Sequence, residues 1–120
     1  MRTIKEIEKL LSVSGATDAA NLPARIESLE IAAFDAGLII SDLADAASAH
    51  EETALVDAST ESNEAKRKAK RAELLRASAA YNCILREKRE AERVRLCLQE
   101  RAHRYAREFR LAVAEKGGQI

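Results

Sequence analysis

The chain has 120 residues, enough for one domain, and its formal charge sums to zero. The charge is divided in place: residues 1–64 carry 13 acidic and 4 basic side chains, and residues 65–120 carry 7 and 16. Alanine, at 24 residues, leads a set rich in leucine, glutamate, lysine and arginine, the composition of long helices and coiled coils, and it leaves no run long enough to span a membrane.

Alanine buries little apolar area. A core built on it is thin, so oligomerisation is an expected source of further burial. The aromatic side chains are Phe34, Tyr81, Tyr105 and Phe109. Cys83 and Cys97 lie fourteen positions apart on what reads as one helix. At ~1.5 Å per residue that is roughly 21 Å, too far for a disulfide between them. Reduced thiols, with an N-terminus charged throughout (MRTIKEIEKLL), give the expectation of a cytoplasmic protein.

The first helix is predicted over 4–13. Thr3 and Glu6 have the capping-box spacing, and Ile4, Ile7, Leu10 and Leu11 form one apolar stripe. Gly15 is a suitable stop, 15–22 reads as a linker, and Pro23 suits the first turn of the next helix.

The second, acidic helix is predicted over 23–57. Ile26, Leu29, Ala33, Ala36, Ile40, Leu43 and Ala47 recur at spacings of three and four, a heptad seam. Ile31, Phe34 and Leu38 form a second apolar patch roughly opposite. Two apolar faces imply a helix sandwiched between neighbours, one of them the short first helix.

A turn is predicted at 57–63, where Asp57, Ser59, Thr60, Ser62 and Asn63 cluster. The third, basic helix is then predicted over 63–116, closed by Lys116 and Gly117. Its seam is Ala80, Ile84, Ala91, Val94, Leu98, Ala102, Tyr105, Phe109 and Ala112, with Glu87, Lys88 and Arg95 interrupting it. Several of these recur at eleven residues, a period that favours nearly straight pairing.

The strongest local signal is the basic run Lys66, Arg67, Lys68, Lys70 and Arg71. Such a run can displace counterions from nucleic-acid phosphates. Basic segment first and heptads later is an order similar to that of leucine-zipper transcription factors. Lys66 and Arg67, however, stand where that family has paired alanines, and Ile84, Ala91, Leu98, Tyr105 and Ala112 hold one leucine. The favoured reading is a solvated face set against the acidic second helix of the same chain. The acidic set from Asp35 to Glu64 is read in the same way, with nucleic-acid mimicry as its alternative.

Glu100 and His103 have the Glu-x-x-His spacing of di-iron bundles, but no second such pair exists, since Ala47 stands three residues before His50. The cysteines lack the close spacing of zinc ligands, and no nucleophile elbow frames a serine. We therefore expect no metal, no cofactor and no catalytic centre.

These readings converge on an all-α fold. A single helical domain, 1–120, would comprise a short N-terminal helix and a long antiparallel helical hairpin, coiled-coil-like and completed by oligomerisation. The third helix would outrun the second, leaving roughly 95–116 free. Its stripe of Leu98, Ala102, Tyr105, Phe109 and Ala112 is the expected partner-binding surface. The expected function is that of a non-enzymatic helical adaptor, scaffold or inhibitor, a homo-oligomer with a dimer favoured. The alternative is a nucleic-acid-binding accessory protein using Lys66–Arg71.

Overall fold

A computed structural model of the chain describes residues 2–12 and 21–118. The protein is all-α, and there is no strand among the described residues. The helices are α1 (Ile4–Ser12), α2 (Leu22–Ala58), α3 (Glu64–Ala77) and α4 (Ala79–Gly118). The chain divides into two units, Met1–Leu38 with Ala91–Ile120, and Ile39–Glu90.

Local chemistry sets the helix ends. The Thr3 hydroxyl accepts from the Glu6 amide at 3.3 Å, satisfying one free donor of the first turn of α1. Pro23 lies in the first turn of α2, where its missing N–H has no cost. At the far end of α2 the Ser59 hydroxyl donates to the Val56 carbonyl at 2.6 Å, and that of Thr60 to Asp57 at 3.4 Å. Asn63 then caps α3, its side-chain oxygen accepting from the Lys66 amide at 2.8 Å. The expected stop at Gly15 lies outside the described residues. Gly117 does not end α4, which continues through Gly118.

The expected helix over 63–116 is two helices, broken at Ser78. Ser78 adopts extended backbone (φ −79°, ψ 109°), and its hydroxyl accepts from the Tyr81 amide at 3.1 Å. It thereby caps the start of α4. The Asn82 side chain donates to the carbonyls of Arg76 and Ser78 at 3.0 and 2.9 Å, so the end of α3 is satisfied too. Two polar side chains make this break without glycine or proline.

In the unit formed by Met1–Leu38 and Ala91–Ile120, α2 and α4 run antiparallel. Gly37 lies beside the Arg95 guanidinium, and Arg25 lies over the Tyr105 ring, 5.7 Å from its centroid. Ile7, Leu22, Leu29, Val94 and Leu98 are buried there with Ala32, Ala33, Ala36, Ala91 and Ala102. The small alanines let the helix backbones approach, and the five larger side chains supply most of the burial, at about 1.5–3 kcal/mol each. Helix α1 is tied in at both ends. Arg2 pairs with Asp35 at 2.7 Å, Glu8 pairs with Arg93 at 3.1 Å, and the Arg101 guanidinium donates to the Leu11 carbonyl.

The unit Ile39–Glu90 is built differently. Its buried apolar residues are Ala47, Ala54 and Ala58, and α3 buries none of its side chains. Here α2 meets the start of α4 through Glu51 and Tyr81, which are hydrogen-bonded at 2.7 Å. The two residues are thirty apart in sequence. A straight hairpin turning at 57–63 would bring Glu51 to the middle of α3 instead. The break at Ser78 lets α3 occupy the corner, lying near Leu55 through Arg67, Lys68 and Arg71.

Candidate interaction surfaces

The five residues expected to form a free C-terminal stripe are not equivalent. Leu98 and Ala102 are buried, and Tyr105, Phe109 and Ala112 are half-buried. Tyr105 shares a small cleft with Leu10 and Leu29 and carries Arg25 across its ring. The expectation that 95–116 projects free is thus corrected: α1 and the start of α2 cover α4 as far as Tyr105. Beyond that point Leu111 and Val113 are exposed.

The larger exposed apolar surface lies on α2. Ile31, Phe34 and Leu38 keep 50%, 67% and 41% of their surface in solvent. The sequence marks this patch by its spacing of three and four. The expectation that a neighbour sandwiches it does not hold among the described residues. The reason is that α1 and α4 both lie toward the other side, over Leu29, Ala32, Ala33 and Ala36. On α4 Leu96 is 56% exposed.

Beside Phe34 runs a groove of about 320 Å³. Ala33 and Ala102 form its floor, Glu30 and Phe34 its α2 wall, and Arg95, Gln99 and His103 its α4 wall. Arg95, which interrupts the seam in sequence, lies outside the buried seam and lines this groove beside Gly37. The width follows from the alanines: small side chains at the helix contact leave a trough that larger ones would fill. Its polar side chains are segregated, with the carboxylate on α2 and the guanidinium and imidazole on α4.

A second surface is α3 itself. It carries Lys66, Arg67, Lys68, Lys70, Arg71 and Arg76 against Glu64 and Glu73, with no side chain buried. The expected pairing with the acidic helix does not occur at this run. Among the described residues, Lys66, Lys68, Lys70 and Arg71 form no salt bridge. The Arg67 guanidinium donates to the Glu61 carbonyl at 3.1 Å. An unpaired cationic helix keeps its full field in solvent and can give it to an anionic partner.

Three smaller features remain. The Tyr81 hydroxyl donates to Glu51, and the His50 ring lies 6.2 Å from that of Tyr81. The hydrogen bond to Glu51 foremost, then burial and the carboxylate charge, raise the Tyr81 pKa above the usual tyrosine value. Cys83 is exposed and Cys97 half-buried, both as free thiols, and the Cys83 thiol donates to Glu87 at 3.5 Å. His103 lines the groove and Glu100 is exposed, and among the described residues no three histidine, cysteine, aspartate or glutamate side chains gather as metal ligands.

No family of known proteins matches the chain, and neither a curated protein nor a solved structure is significantly similar to it.

Proposed function

We propose that the protein is a non-enzymatic helical interaction protein of the adaptor or scaffold type, working in the cytoplasm, and that a second copy of the chain is among its partners. The observation that carries this reading is the exposed stripe Ile31, Phe34 and Leu38 on a helix whose opposite face is already packed. Contiguous apolar side chains left in water beside a groove mark a contact surface. The thin alanine core supports the same reading, since association adds burial that the monomer lacks. Sedimentation of the purified chain tests it. A mass of twice 13.2 kDa or more at micromolar concentration is expected, and a monomer at all concentrations overturns the self-associating reading.

A second reading rests on a separate observation, the unpaired basic face of α3. Under it, α3 binds nucleic-acid phosphates, and the acidic half of the chain competes for the same cations. Its affinity would fall steeply with salt, because each neutralised phosphate releases counterions. A gel shift of the full chain at low salt, repeated with Lys66, Arg67, Lys68, Lys70 and Arg71 all changed to alanine, tests it. Loss of a salt-sensitive shift in the variant supports the reading, and no shift by the native chain removes it.

A further inference from the structure

We infer that the groove between α2 and α4 is the seat of the second copy, and that the two copies are related by a twofold axis parallel to the helices. This rests on the self-associating reading above and adds its geometry. Phe34 on the α2 wall of the groove is mostly in water, and so is Leu96 on α4, next in sequence to the wall residue Arg95. The antiparallel pairing that puts Gly37 beside Arg95 also puts Phe34 and Leu96 within about one turn of each other in height. A twofold along the helices keeps every residue at its own height and exchanges left with right. It therefore lays α2 of one copy over α4 of the other and seats each Phe34 against the partner's Leu96.

Charge selects this arrangement over its rival. A twofold across the helices would lay α2 on α2 and α4 on α4. Glu27 and Glu30 would then face an acidic helix, and Arg95 a basic one, with like charges destabilising the contact. The parallel axis instead brings Glu30 to the wall holding Arg95 and His103. The alanine floor, Ala33 and Ala102, leaves room for the incoming phenylalanine. Two hairpins joined in this way make a four-helix arrangement in which the exposed stripe on each α2 lies against the partner's α4.

A complementation experiment tests the geometry. Phe34→Lys and Leu96→Glu change exposed side chains, so each variant should keep its helical circular dichroism. Sedimentation is measured for the native chain, each variant alone and an equimolar mixture. The expected result is a native dimer, two monomeric variants, and a mixed dimer. In the mixed dimer the ammonium introduced by Phe34→Lys in one copy meets the carboxylate introduced by Leu96→Glu in the other, while the second contact stays native. Two monomeric variants that fail to combine overturn the parallel axis, because α2-on-α2 packing offers no such rescue. A native dimer unaffected by either substitution overturns the groove as the seat and leaves self-association standing. A monomeric native chain overturns both.

Discussion

The Tyr81 hydroxyl reaches Glu51 Oε1 at 2.7 Å across thirty residues of chain. This contact holds α2 against the start of α4 in a unit whose buried apolar residues are all alanines. The bond is exposed to solvent, so water competes for both groups and its net contribution is modest.

Tyr81 should titrate above the usual tyrosine value of about 10. The folded chain holds its proton longer than the unfolded chain does. The contact's contribution to stability is therefore complete below the unfolded pKa and is lost as pH rises through the folded one. Phenolate absorbance in a Tyr105→Phe background should show a single late titration, and Glu51→Gln should bring it down. No difference between the two would remove the assigned cause.

Leu98 is fully buried, so Leu98→Ala should cost about 2–5 kcal/mol in chemical unfolding. Leu55 is more than half exposed, and Leu55→Ala should stay within about 0.5 kcal/mol. Equal losses at the two positions would contradict this packing.

Ser78→Ala removes the cap of α4. The expected cost is about 1 kcal/mol in unfolding experiments, with helical content nearly unchanged. Asn82→Ala should destabilise through the carbonyls at the end of α3. If both substitutions together raise stability, a continuous helix is the better state and the break is not held by these caps.

Gly37 sits inside α2, and an added Cβ would meet the Arg95 guanidinium at 3.6 Å, ordinary contact. Gly37→Ala should therefore raise stability by about 0.5–1 kcal/mol through helix propensity. A fall in the thermal midpoint would show that the guanidinium cannot give way to a methyl group.

Amide exchange should follow the burial. The amides of α3, which has no buried side chain, should exchange fastest among the helix interiors, and those around Val94 and Leu98 slowest. Protection in α3 equal to that around Leu98 would be inconsistent with this distribution.

The helix class and the beginnings of α1 and α2 are legible in the chain because Thr3 and Pro23 are local signals. The seam is legible because Leu29, Ala33, Ala36, Ala91, Val94, Leu98 and Ala102 repeat with helical spacing, and all seven are buried. The break at Ser78 is not, because Ala77–Ser78–Ala79 is compatible with helix, and only the paired action of Ser78 and Asn82 decides against it. That omission carries over to the surface. Taking α3 and α4 as one straight helix displaces the register, and puts Leu98 and Ala102 in an exposed stripe rather than in the core. The patch Ile31, Phe34 and Leu38 is plain in sequence, but its exposure depends on where α1 docks, which no local pattern encodes.

Because α3 has no fully buried side chain, and only Lys70, Arg71, Leu74 and Leu75 are half-buried, its sequence answers to few packing demands. The exposed positions among its fourteen residues can change in charge at little cost to packing. The segment behaves as a replaceable cassette between two fixed joints, so variation in what the protein contacts can accumulate there without a new fold.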